Sequence, residues 1–287
     1  MAPARDVLPW RCGDATLRCG ERTLVMGILN VTPDSFADGG RYASAADAVA
    51  TGLRMVEDGA AILDVGGEST RPGADPVAER EELRRVLPVI EGLVAAGVAV
   101  PISIDTRKPG VARAACAAGA SIVNDVGGAR DPGMFDAVAA TGAGLILMHM
   151  RGEPGTMQEA PTYADVVGEV RTYLAERVEA ALFAGVDADR IAVDPGIGFG
   201  KTLEHNLALL RDVRAFAGLG RPIVVGPSRK RFLGALLDDA PVEDRLEGTA
   251  GAVAWLAAVG ADVVRVHDVR AMVRVVRVVD AIARGIA

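Results

Sequence analysis

The feature that most constrains this 287-residue chain is an alternation: eight short runs rich in Val, Ile and Leu, each followed by a longer stretch of helical period. The runs are TLVMGILN, AAILDVGG, VPISIDT, ASIVNDV, GLILMHM, IAVDPG, PIVVGPS and DVVRVHD. Each is nearly all apolar, as a strand covered on both faces must be, and such strands belong to parallel sheets whose crossovers are helices. Eight strand-helix units predict an α/β protein built as an eightfold (β/α) TIM barrel of parallel strands. No low-complexity tract, long linker or composition break interrupts the series. Residues 1–287 are therefore expected to form a single barrel domain that starts with a short N-terminal extension, 1–23.

The helical stretches carry start and stop signals. In SAAD, Ser44 can cap a helix and Asp47 can answer it, and Gly59 suits its left-handed end. In YADVVGEVRTYLAERVEAALFAG, Val167, Val170, Leu174, Val178 and Leu182 recur every three or four positions, a buried stripe that stops at Gly185.

Composition narrows the partners. A formal charge of −7 and a pI near 5.1 argue against nucleic acid or an anionic membrane surface, since both favour a basic face. The longest apolar stretch, TAGAVAWLAAVGA, stops at Asp262, short of the roughly 18 residues that span a bilayer, and the N-terminus lacks a secretory apolar segment. Cys12, Cys19 and Cys116 are odd in number and scattered, which suits neither a disulfide framework nor zinc. A cytoplasmic protein with reduced thiols is expected.

Polar residues gather where the predicted strands end. The first ends in Asn30, the second runs into GGESTRPG, the third ends at Asp105, the fourth carries Asn124, the sixth ends at Asp194, the seventh runs into Ser228 and Lys230, and the eighth holds Arg265 and His267. One Asn or Asp after a strand is commonly a turn former or a helix cap. Seven coincident cases point instead to a barrel mouth, where ligands bind. Arg265 and His267 are two apart and share a face, Val264 and Val266 taking the other. A buried arginine needs an anion, from a ligand or from a neighbouring carboxylate.

Two near-misses are set aside. DPGIGFGKT has Pro195 where a Walker A loop needs its first Gly, and Lys201 where a dinucleotide loop needs its last. Its glycines instead let the chain leave the sixth strand tightly, with Phe199 as a flat apolar wall. His149, His205 and His267 lie in different units, which speaks against a histidine metal site, and His205 is expected to be exposed. Mg2+ remains compatible, because it takes oxygen ligands and arrives with substrate phosphates. Asp105, Asn124 and Asp194 offer acceptors to a heterocycle rich in N–H donors, while Arg71, Arg265 and His267 suit phosphate or carboxylate. The residues by themselves describe a site for a heterocycle with an anionic tail.

The segments GILNVTPDSF, DVGGESTRPGA, SIDT, NDV, MHMRGEPGTMQ, DPGIGFGK, GPSRKRFLG and RVHDV resemble, in order, the signature segments of dihydropteroate synthases. The resemblance runs from about residue 24 to residue 270. It implies a barrel enzyme that condenses (7,8-dihydropterin-6-yl)methyl diphosphate with 4-aminobenzoate, giving 7,8-dihydropteroate and pyrophosphate for folate synthesis, with Mg2+ and as a homodimer. It further implies a pterin site of Asp105, Asn124, Met148, Asp194, Phe199 and Lys230, and an aminobenzoate site of Thr70, Arg71, Pro72, Phe199, Lys230 and Ser228. A pyrophosphate site of Asn30, Arg71, Arg265 and His267 follows, with Asn30 also a Mg2+ contact. Asp38, in a loop that helps close the site, joins Arg71 and Lys230 as a catalytic group. The alternatives are a pterin-binding paralogue without catalysis and a pterin-dependent methyltransferase domain, which should lack the STRPG and SRK elements.

Overall fold

A computed structural model describes residues 7–31, 45–69, 73–131 and 133–285. The stretch expected only as an extension contains a hairpin: β1 (Leu8–Cys12) and β2 (Ala15–Cys19) pair antiparallel around a tight turn at Gly13, whose φ of 59° is open to glycine at little cost.

The eight predicted strands all form: β3 (Leu24–Asn30), β4 (Ile62–Gly66), β5 (Ile102–Asp105), β6 (Ile122–Asp125), β7 (Gly144–Met148), β8 (Ile191–Asp194), β9 (Val224–Val225) and β10 (Val263–Val266). They run parallel in the order β8-β7-β6-β5-β4-β3-β10-β9, and a parallel bridge between Val193 and Ile223 brings the two ends of the sheet together into a barrel. The helices around it are α1 (Ala45–Glu57), α2 (Glu79–Ala95), α3 (Pro109–Ala117), α4 (Gly133–Thr141), α5 (Val166–Phe183), α6 (Leu203–Arg211), α7 (Arg231–Leu236), α8 (Leu246–Val259) and α9 (Val269–Arg284). Among the described residues no helix is long and apolar enough to cross a membrane.

Local signals account for the helix ends. Asp165 caps α5 by accepting from the Gly168 N–H at 3.0 Å, and Glu169 answers from the first turn by accepting from the Ala164 and Asp165 N–H groups. The buried stripe of α5 is Val166, Val170, Leu174, Val178 and Ala181, with Val167 and Leu182 on its half-buried shoulders. Gly59 and Gly185 leave their helices with φ of 100° and 89°. Ser44, the expected cap of α1, lies outside the described residues.

Side-chain alternation along the strands makes two cores. Leu63, Val65, Ile104, Val123, Leu145, Leu147, Val193, Val264 and Val266 face outward against the helices. Leu24, Met26, Ile62, Ile122, Ile146, Ala192, Val224 and Val263 face inward, joined by Trp10, Cys12 and Cys19 of the hairpin. The hairpin therefore stoppers the N-terminal end of the barrel.

Candidate active site

Inward-facing positions repeat every second residue, so the layer above the apolar interior can be read by adding two. Ile62 is followed by Asp64, Ile122 by Asn124, Ile146 by Met148, Ala192 by Asp194 and Val263 by Arg265. Strand register then sets Asn30, Gly66, Asp105 and Asn124 side by side, and Met148 beside Asp194. The predicted acceptors thus meet in one layer at the C-terminal end of the barrel.

The guanidinium of Arg265 stands among them. Its Nε donates to Asp64 Oδ2 at 2.6 Å and its Nη2 to Asp105 Oδ2 at 2.6 Å, so its counter-ions here are two carboxylates. Burial works against this charge, and Asp64 and Asp105 outweigh it, holding the Arg265 pKa above the ordinary arginine value. Asp64 also accepts from the Asn124 side-chain amide at 3.2 Å. Sequence reasoning did not single out Asp64, although ILD repeats the pattern of IVN and AVD, whose polar third residues it did select.

Asp105 has its pKa pushed up to about 7 by burial, with Arg265 pulling it down and Asp64 pushing it up. Asp194 is raised as well, first by burial, against the pull of Lys230 and of the Gly196 N–H, which donates to its Oδ1 at 2.7 Å. Two inward oxygens, Asp64 Oδ1 and Ser103 Oγ, are buried without a partner among the described residues. A buried acceptor of that kind costs free energy until a donor reaches it.

Lys230 lies over the Phe199 ring, 4.5 Å from its centroid, and its ammonium donates to the Ile197 carbonyl. Burial lowers its pKa to about 8, Asp194 working in the opposite sense. Phe199 packs on Val126, Met148, Met150 and Met157. The loop carrying Phe199 begins tightly: at Gly196, with φ of 70°, a Cβ would fall on the carbonyl oxygen of His149. Between Ser228 and Lys230, Arg229 takes a left-handed φ of 56° and turns away to grip Asp268 at 3.0 and 2.5 Å, leaving its two neighbours to the mouth. Ser228 Oγ accepts the His267 N–H at 3.2 Å and stands 3.0 Å from His267 Nδ1. Residues expected in the aminobenzoate and pyrophosphate sites are therefore in direct contact.

His205 is not the exposed residue expected. Its Nδ1 accepts the Thr202 N–H at 3.2 Å while Thr202 Oγ1 accepts the His205 N–H at 3.3 Å, a capping box at the start of α6. Asp38, Thr70, Arg71 and Pro72 lie outside the described residues.

An eight-stranded parallel barrel, stoppered below and lined above by carboxylates, an amide and two cations, defines a barrel enzyme of the kind that binds its substrate at the C-terminal face. Residues 26–267 match the family described as "Pterin binding enzyme". The chain is 47% identical to the dihydropteroate synthase of a Synechocystis species over 277 residues, 96% of each protein. It superimposes with a TM-score of 0.91 on the Xanthomonas albilineans enzyme with 4-aminobenzoic acid, at 48% identity, covering 97% of this chain and 99% of that one. The Burkholderia cenocepacia enzyme complexed with 7,8-dihydropteroate gives 0.87 at 47% identity, covering 96% of each. The chain belongs to the pterin-binding enzymes and, within them, to the dihydropteroate synthases, which are transferases.

Proposed function

We propose that this chain condenses (7,8-dihydropterin-6-yl)methyl diphosphate with 4-aminobenzoate, releasing pyrophosphate and 7,8-dihydropteroate for folate synthesis. The observation that carries the reading is the polar layer two residues above the apolar interior, which offers carboxylates and an amide to a heterocycle beside cations for its tail. In this reading Asp105, Asn124 and Asp194 accept from the pterin N–H groups, with Met148 and Phe199 against its faces. Arg265, His267 and Asn30 receive the diphosphate, and Ser228 borders the aminobenzoate. The same reading gives Thr70, Arg71 and Pro72 to the aminobenzoate pocket, Arg71 also to the diphosphate, and Asp38 to closing the site.

The carbon–oxygen bond to the diphosphate breaks with its electron pair leaving on oxygen, and the amine nitrogen bonds to the exposed methylene carbon and sheds a proton to solvent. Catalysis then consists of stabilising the departing negative charge and the transient cation together, a task for fixed charges such as Arg265 and Asp194. No covalent nucleophile is needed.

Asn30 fits a Mg2+ ion. Its Oδ1 is a neutral hard donor, and the bare Gly66 beside it leaves room, since a Cβ there would lie 3.6 Å from that oxygen; the neighbouring Asp105 Oδ2 already answers Arg265. When bound there, Mg2+ would neutralise charge on the diphosphate. A homodimer in the cytoplasm completes the proposal. The test is pyrophosphate release from purified protein given both substrates and Mg2+. Release that requires both substrates is expected, and its absence from well-folded protein would reduce the chain to a pterin-binding paralogue without catalysis.

A further inference from the structure

The loop leaving β8 presents four consecutive carbonyls, and each accepts a side-chain donor. Ile197 accepts from Lys230, Gly198 from Gln158 Nε2 at 2.7 Å, Phe199 from Lys201 Nζ at 2.9 Å and Gly200 from Tyr163 Oη at 2.9 Å. Lys201 is the unusual donor. It is only 3% exposed, and its ammonium rests on neutral acceptors: the Phe199 carbonyl, His149 Nδ1 at 3.0 Å and the His149 carbonyl at 3.4 Å.

A buried ammonium on neutral acceptors is costly, and a Met or Leu of similar bulk would fill the space more favourably. Burial indeed drives the Lys201 pKa well below the ordinary lysine value, with Asp194 opposing. What a hydrocarbon could not supply is the three-way tie between the end of β7 and the loop after β8. His149 is prepared to receive it. Burial, with Lys201 next, pushes its pKa down to about 2, so the ring is neutral, and Tyr173 holds it edge-on at a centroid distance of 4.9 Å.

We propose that Lys201 is a positioning residue: by fixing the Phe199 carbonyl against His149 it keeps the Phe199 ring standing as a rigid wall beside Met148 and Lys230, and so sets the affinity for the aromatic amine substrate. The inference rests on the function proposed above. The pterin has its own polar anchors in Asp105, Asn124 and Asp194, whereas 4-aminobenzoate is a small ring for which a flat wall is a large share of the contact. Loosening the wall, which both rings touch, should therefore weigh more on the aromatic amine than on the pterin.

Lys201→Met should raise the KM for 4-aminobenzoate about tenfold while kcat and the KM for the pterin diphosphate stay within about twofold. Lys201→Gln, whose N–H donors stand one atom short of the lysine ammonium, should recover part of the wild-type KM; equal impairment in both variants together with wild-type amide exchange in the loop would mean that the lysine is packing material and would overturn the idea. A double-mutant cycle with Phe199→Leu gives the sharper result, because Lys201→Met should then change the aminobenzoate KM less than about twofold. Full additivity, or a loss confined to kcat, counts against the proposal. Hydrogen exchange of the amides of residues 196–200 supplies a reading that needs no turnover: faster exchange in Lys201→Met is expected, and unchanged exchange overturns the tie itself. If the wild type releases no pyrophosphate, the functional reading fails on its own, and the exchange measurement still judges Lys201.

Discussion

The two ends of the barrel are made from the same strands and could hardly differ more. At the N-terminal end Trp10, Cys12 and Cys19 close on Met26, Ile62, Ile122, Ile146 and Val263, and the indole N–H satisfies itself on the Arg190 carbonyl at 2.9 Å. Burial pushes the Cys12 thiol far up, so it behaves as a small hydrophobe. Further along the strands, the interior holds Asp64, Asp105, Asn124, Asp194 and Arg265, with Asp64 Oδ1 and Ser103 Oγ unpartnered among the described residues. One end gains free energy by excluding water. The other keeps raised carboxylates and open acceptors at a cost in stability, which only a ligand can return.

Arg265→Ala is the strongest way to break this division, because it strikes both functions of the mouth at once. Removing the guanidinium leaves Asp64 and Asp105 buried without their counter-ion, so a loss of about 3 kcal/mol in a denaturant melt is expected, together with a fall in turnover of about a hundredfold or more. Asp64→Asn in the same chain should return part of the stability and none of the turnover. Wild-type kcat/KM in the folded fraction of the single variant would make Arg265 a purely structural partner.

Trp10→Ala probes the opposite end. It empties a fully buried site, so about 3 to 4 kcal/mol should be lost, while kcat per folded molecule stays within about twofold. A comparable loss of kcat would show that the stopper is coupled to the mouth, and the division of labour would fail.

The smallest effect sharpens the comparison within the mouth. Asp194→Asn trades an acceptor for a donor and should weaken binding of a pterin ligand by about 2 kcal/mol, measured by calorimetry. Stability should move the other way. Because the folded pKa of Asp194 lies above its unfolded value, the wild type loses stability as pH rises from the unfolded value through the folded one, and the amide lacks that slope. A parallel pH dependence of Tm in the two proteins would remove Asp194 from the set of strained carboxylates.

Much of this was legible along the chain because it is periodic or local. The eight apolar runs became β3 to β10, the glycines at 59 and 185 end their helices, and the period of two that put Arg265 opposite Val264 and Val266 holds in the barrel. The hairpin was not legible, since its ten strand residues mix Trp10 and Leu17 with Arg11 and Arg18 and acquire a side only when Trp10 meets the barrel floor. The partners of buried charges were equally out of reach. Arg265 is 201 positions from Asp64 and 160 from Asp105, and no spacing rule joins them.

By itself, then, the sequence determined the element order, the polar ends of the strands and the family, because hydrophobic period and contiguous motifs are written in neighbouring residues. Only the tertiary structure decided that Arg265 answers two carboxylates, that Lys201 ties Phe199 to His149, and that His205 caps a helix. Those outcomes depend on which strands the barrel closure brings together and on which donors reach which acceptors after water has been excluded, and both are properties of the closed ring rather than of any stretch of chain.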